Sequence, residues 1–209
     1  MNFEPVILIA LLACWGSFLN SLAYRLVHEN SFAKLRSFCP NCHYSLAWFD
    51  LLPIISWCIL HGKCRNCRQP ISKLYPLMEL ATILVGLRLI YVTPPNYLLA
   101  YAIFCSALLI TIRTDLQTML ISRFATLFLI PIACALSLIR IKNHFLLPIT
   151  TLAVLQGALF GYFILYLTNK LFWLFTKKQG MGEGDMELLA MIGAFTGPVG
   201  AWVSLMLGA

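Results

Sequence analysis

The chain has 209 residues, of which 60% are hydrophobic and only 11% charged, and its formal net charge is +7. Soluble domains carry about 25% charged residues, so this composition excludes an ordinary soluble protein and points to a polytopic membrane protein. The positive charge needs no nucleic-acid partner, because a bias of Lys and Arg toward cytoplasmic loops accounts for it.

Apolar runs at 5–23, 74–92, 97–112, 119–139, 145–167 and 186–209 predict six spans in an all-α membrane helical bundle. A bilayer core needs about 20 residues of helix; the run at 97–112 is short and is expected to extend to Thr114. The first run has Glu4 before it and Arg25 after it. Those flanks fit an anchor with its N-terminus outside rather than a cleavable signal peptide. With that orientation, twelve of the 15 Lys and Arg fall inside: Arg25, Lys34, Arg36, Lys63, Arg65, Arg68, Lys73, Arg113, Arg123, Lys170, Lys177 and Lys178. Arg88, Arg140 and Lys142 fall outside. Membrane lipid is therefore an expected partner. The chain divides into an anchor (1–27), a polar insert (28–73) and a membrane core (74–209).

The insert carries CPNC (Cys39, Cys42) and CRNC (Cys64, Cys67), with 21 residues between the pairs. Zinc takes four thiolates tetrahedrally, and each two-residue turn brings two sulfurs to one side of the ion. A redox pair or free thiols is the alternative, but an inside location argues against stable disulfides. A closed four-cysteine site leaves no open coordination position, which makes structural zinc the expected cofactor. Cys14, Cys58, Cys105 and Cys134 read as small buried residues. Beyond the insert, TPPNY (93–97) and IRIKNHF (139–145) are expected as tight outside turns, and Pro131 and Pro198 as kinks within spans. The chain ends at Ala209 within an apolar run: either the sixth span just reaches the outer face, or the sequence is cut short.

The segment KKQGMGEGDMELLAMIGAFTG (177–197) places Gly180, Gly182 and Gly184 beside Glu183 and Asp185, at the mouth of a span. Carboxylates at membrane depth are costly and tend to be functional. Glycines so close together suggest a bend or a close approach. Of the eight Asp and Glu, Glu4, Glu29 and Asp50 read as solvated, and Glu79 lies one turn into the second span. Asp115 and Asp185, 70 residues apart, are expected at the same membrane face. Two adjacent carboxylates hold one proton between them and can do general acid–base work. The alternative is that each pairs with a nearby base such as Arg113 or Lys178.

GEGDMELLAMIGAFTG resembles the Gly-x-Gly-Asp motif of bacterial type IV prepilin peptidases. GSFLNSLAYRL (16–26) is similar to that family's opening motif. The stretch 39–80 resembles its cytoplasmic insert, with both cysteine pairs and a Tyr-Pro-x-x-Glu exit. DLQTMLISR (115–123) is similar to the segment holding its first catalytic aspartate. The resemblance covers essentially the whole chain.

It implies an intramembrane aspartic peptidase that cuts the basic leader from prepilins and pseudopilins just after a glycine, on the cytoplasmic side of the inner membrane. Asp115 and Asp185 match the catalytic pair. Gly182 and Gly184 would leave room beside Asp185 for an extended substrate, and Glu29, Asp50, Glu79 and Glu183 are candidate partners for the basic leader. Relatives with this insert also N-methylate the new terminus, using S-adenosylmethionine. The chain differs from the family's usual pattern in Ser122-Arg123 in place of Pro-Asp, in Glu187 in place of Lys, and in its early end. The alternative is a truncated or degenerate relative that binds prepilin without cleaving it. A small cation-coupled transporter would not explain the cysteine pairs.

Overall fold

A computed structural model describes residues 4–27, 37–39, 41–141, 144–145, 147–178 and 180–208. Expectations for Glu29, Lys34, Arg36, Lys142 and Ala209 fall outside these residues. The elements run α1 (Glu4–Val27), a 3-10 turn (Trp48–Leu51), α2 (Ile55–Ile59), α3 (Leu74–Val92), α4 (Pro95–Thr118), α5 (Arg123–Thr126), α6 (Leu129–Leu138), β1 (Arg140–Ile141), β2 (His144–Phe145), α7 (Thr151–Thr176) and α8 (Glu183–Gly208). Five of these, α1, α3, α4, α7 and α8, are long and apolar enough to cross a membrane. Their outward residues, such as Val6, Leu84, Leu159 and Val203, are large, apolar and exposed, as a lipid solvent requires. The protein is a multi-pass helical membrane protein.

The span expected at 119–139 is corrected. Met119 adopts a left-handed φ of 55° and Ser122 is extended, so the chain restarts as two short helices over Arg123–Leu138, too short to count as a span. A hydropathy window registers the apolar side chains and is blind to this break. Helix α4 runs on to Thr118, past the expected Thr114, so Asp115 lies within its last turn. The prolines of TPPNY separate α3 from α4, with Pro95 in the first turn, where its missing N–H has no helical partner to lose. Across 140–145 the chain forms a two-stranded antiparallel pair, Arg140 opposite Phe145 and Ile141 opposite His144. Pro198 does kink its helix: Gly197 before it leaves the helical region at φ 76°, ψ 178°.

The chain folds as two compact units. The first comprises Met1–Val92 with Leu109–Thr118, the second Thr93–Leu108 with Met119–Ala209. In the first, α1 packs on α3 where Gly16 brings the helices together; a Cβ at Gly16 would lie 2.9 Å from the Glu79 α-carbon. In the second, α7 and α8 meet backbone to backbone. A Cβ on Gly157 would overlap the Gly193 carbonyl, one on Gly193 would overlap the Gly157 carbonyl, and one on Gly161 would overlap Leu189. Small residues four apart allow this approach, which gives dispersion contact where lipid supplies no hydrophobic drive. Around it Phe104 stacks on Phe195 with centroids 5.0 Å apart, and Ala133, Val154, Met191 and Ala194 are buried.

A bulky residue at the helix crossing has no space to occupy. Gly193→Leu is expected to destabilise the protein by about 3 kcal/mol or more through overpacking, seen as a lowered unfolding midpoint in detergent. Gly208→Leu, at a site where a Cβ meets nothing within 4 Å, serves as the control and is expected to leave the midpoint unchanged. Equal midpoints for the two variants would contradict the close crossing.

Candidate functional site

The two cysteine pairs occupy near-identical turns. Cys39 N–H donates to the Tyr44 carbonyl and His43 N–H to the Cys39 carbonyl; Cys64 N–H donates to the Gln69 carbonyl and Arg68 N–H to the Cys64 carbonyl. His43 and Arg68, each four residues after the first cysteine of its pair, take left-handed φ values of 55° and 57°. An isolated bridge closes each turn, Phe38 with Ser45 and Lys63 with Pro70. CPNCH and CRNCR are thus one structural unit used twice, a short internal repeat that sequence reasoning missed.

The four sulfurs all lie within 4.8 Å of one another, with Cys39 to Cys67 at 3.9 Å and Cys42 to Cys64 at 4.0 Å. Tetrahedral zinc with bonds of about 2.3 Å spaces its sulfurs by roughly 3.8 Å, whereas a disulfide needs about 2.05 Å. The set can hold a metal ion. The Tyr44 amide aimed at its sulfur lowers the Cys42 thiol to about 6, working against desolvation. The Cys67 amide likewise lowers Cys64. At Cys67 the Gln69 amide also lowers, but burial and the neighbouring sulfurs outweigh it and raise the thiol to about 11. A cation is what lets four crowded sulfurs lose their protons together. Cys14 and Cys58, expected as buried, are exposed.

Asp50 was expected to be solvated and is instead buried. Its Oδ1 accepts from Arg65 at 2.8 Å, with its side chain 1% exposed, and Arg65 lies over the Phe49 ring at 5.0 Å. Glu79 is also buried. Its Oε2 accepts the Ile54 N–H at 2.7 Å and holds Ile54 at φ 60°, a conformation costly for a β-branched residue. Asn20 on α1, not singled out from sequence, joins the elements of this unit. It donates to the Tyr75 carbonyl at 3.2 Å and accepts from Arg113 Nε at 3.0 Å. Arg113 also donates to Gln117 at 2.6 Å and lies over the Tyr75 ring at 5.0 Å.

The Gly-x-Gly-Asp segment is held from α7. Asn169 donates to the Met181 carbonyl at 3.4 Å and accepts the Gly180 N–H at 3.2 Å. The glycines differ in what surrounds them. A Cβ at Gly180 would lie 2.7 Å from Phe172 and one at Gly184 2.8 Å from Ile121. At Gly182, among the described residues beyond its chain neighbours, the only atom within 4 Å would be Oδ2 of Asp185, at 3.7 Å. Asp185 lies in the first turn of α8, and both it and Asp115 are exposed.

The two departures after the motif aspartates meet in space. Arg123 Nε lies 3.2 Å from Glu187 Oε1, and Glu187 is buried. Arg123 Nη2 also pairs with Glu183, and Thr126 Oγ1 donates to Glu187 Oε2 at 3.3 Å. A basic residue at 123 and an acidic one at 187 are two halves of one ion pair. Its partners are 64 residues apart, beyond any local pattern.

The description "Bacterial Peptidase A24 N-terminal domain" matches residues 10–93, and "Type IV leader peptidase family" matches residues 102–209. The chain belongs to the type IV leader peptidase family. Three relatives named "Prepilin leader peptidase/N-methyltransferase" illustrate the likeness. That of Klebsiella pneumoniae is 36% identical over 190 residues, covering 88% of this chain and 81% of its own. That of Aeromonas hydrophila is 33% identical over 179 residues, 83% of this chain and 60% of its own. That of Myxococcus xanthus is 32% identical over 195 residues, 91% of this chain and 55% of its own. The chain therefore spans four-fifths of the first relative and little more than half of the other two. No solved structure matches it.

If Arg123 and Glu187 act as a pair, Arg123→Glu and Glu187→Arg should each destabilise the protein, and the combined exchange should recover most of the loss. The coupling is expected near 1 kcal/mol because the guanidinium is largely solvent-exposed. Additive losses in a double-mutant cycle would show that the residues act independently. Purified protein should also carry one zinc, and Cys64→Ser should lose it and expose the insert to limited proteolysis. Full zinc content in that variant would contradict the four-cysteine site.

Proposed function

We propose that the chain is a leader peptidase for type IV prepilins and pseudopilins, cutting after a glycine at the cytoplasmic face of the inner membrane. One observation carries this reading: the family descriptions match nearly end to end, and both motif aspartates are exposed at helix ends, in the last turn of α4 and the first turn of α8. The distribution of Lys and Arg supports a cytoplasmic insert. The division into an anchor (1–27), a zinc-binding insert (28–73) and a peptidase core (74–209) belongs to the same reading.

In the proposed chemistry Asp115 and Asp185 share one proton. The ionised member takes a proton from water as it attacks the peptide carbonyl, and the protonated member donates to the carbonyl oxygen. The pair titrates as a unit, so the roles belong to the dyad rather than to either residue. No acyl-enzyme forms. Gly182, with open space beside Asp185, suits an extended backbone segment there. Gly184 is required for a different reason, its contact with Ile121. Glu79, Asp50 and Glu183 are candidate partners for a basic leader; Glu79 and Asp50 are buried and tied to Ile54 and Arg65, while Glu183 is exposed and shared with Arg123. Zinc holds the insert and takes no part in hydrolysis. The relatives' names support a second activity, N-methylation of the new terminus, for which bound S-adenosylmethionine supplies an electrophilic methyl group.

Asp115→Asn and Asp185→Asn should each reduce leader removal by at least about a hundredfold, the scale of a lost general acid or base, with zinc content and membrane insertion unchanged. Membranes holding either variant and a tagged prepilin provide the assay. Wild-type turnover by either variant rules out the dyad.

A further inference from the structure

The first unit holds a partly open cavity of about 470 Å³, within the usual size of a small-molecule site. Its walls hold three buried charged residues, Asp50, Glu79 and Arg113; Asp50 is neutralised by Arg65, also in the wall, which leaves Arg113 and Glu79, 2% and 6% exposed. They form no ion pair with each other, and among the described residues neither pairs with any other charge. Arg113 has the neutral partners Asn20 and Gln117, and Glu79 accepts the Ile54 amide. Burying a charge without a counter-charge is expensive, so two such charges of opposite sign in one cavity wall suit a ligand that carries both.

The other walls match the rest of such a ligand. The Ser17 hydroxyl hydrogen-bonds Glu79 and so orients it, Ser21 lies 3.4 Å from Ser37, and Tyr75 and Trp57 supply aromatic surface. Arg113 already lies over the Tyr75 ring, and a guanidinium fork is suited to binding a carboxylate. Glu79 offers a negative charge for a cationic group. S-adenosylmethionine combines a carboxylate, an ammonium, a sulfonium and a flat aromatic base, and its volume is comparable with the cavity's.

We infer that this cavity is the methyl-donor site, with Arg113 taking the donor's carboxylate and Glu79 its cationic end. The inference rests on the methyltransferase reading given above, and it places donor binding in the unit that also holds the four cysteines.

The test is ultraviolet cross-linking of radiolabelled S-adenosylmethionine to the purified full-length protein in lipid nanodiscs, with methylation of cleaved prepilin followed in parallel. Glu79→Gln and the cavity-filling Ser21→Phe should each lose at least tenfold in labelling while retaining zinc and a wild-type unfolding midpoint. Arg113→Lys keeps the charge but loses the fork, and should weaken labelling while sparing the zinc. S-adenosylhomocysteine should displace the label at least tenfold better than 5′-methylthioadenosine, which lacks the carboxylate. If the wild type methylates and labels but the cavity variants label equally well, the inference fails alone. If the wild type neither labels nor methylates while cleaving prepilin, the methyltransferase reading fails and takes the inference with it.

Discussion

The structure depends on helices approaching at backbone distance. Within a bilayer no hydrophobic drive holds one helix to another, so association relies on dispersion contacts that bulky side chains would prevent. Gly157 and Gly193 let α7 and α8 touch, and Gly16 does the same for α1 and α3. Each contact positions polar groups that would otherwise be hard to keep in an apolar setting. Helix α8 carries Asp185 and brings Glu187 into place against Arg123 and Thr126. Across α1 and α3, Asn20 reaches the Tyr75 carbonyl and steadies Arg113. Loss of a glycine contact would disturb these polar contacts as well as a packing surface.

The motif glycines have separate tasks. Among the described residues, the only glycines with positive φ are Gly62 and Gly197, so the Gly-x-Gly-Asp segment does not use glycine for an unusual backbone angle. Gly180 and Gly184 make room for Phe172 and Ile121, while Gly182 leaves open space next to Asp185. The alternation of glycines thus has a packing explanation at two positions and open space at the third. The Arg123–Glu187 pair extends the same account. Taken singly, each residue is a departure from the family's pattern; taken together they form a contact that joins α5 to α8. This removes one argument for a degenerate relative.

Much of this was legible in the sequence because it is local. The long apolar runs give five helices of spanning length, the paired prolines of TPPNY divide α3 from α4, and the Cys-x-x-Cys spacing gives a cluster of four sulfurs with tetrahedral edges. Pro198 signalled its kink through the steric demand it places on Gly197. Long-range contacts were not legible. Asp50 read as solvated because nothing near it in sequence reveals Arg65 closing over it. The break at Met119 escaped because its neighbours are apolar and hydropathy has no term for a left-handed residue. The Gly-x-x-x-Gly patterns at 157–161 and 193–197 were present as a signal of close helix packing and were read only as parts of spans.

The central claim is that this chain, as it stands, removes a prepilin leader. Mass spectrometry of a purified prepilin after incubation with the wild-type protein in lipid tests it most directly. The account predicts a product shortened at a glycine, with a further fraction heavier by one methyl group when S-adenosylmethionine is present. Intact prepilin, recovered from protein that is membrane-inserted and carries its zinc, would contradict it and favour a relative that binds without cutting.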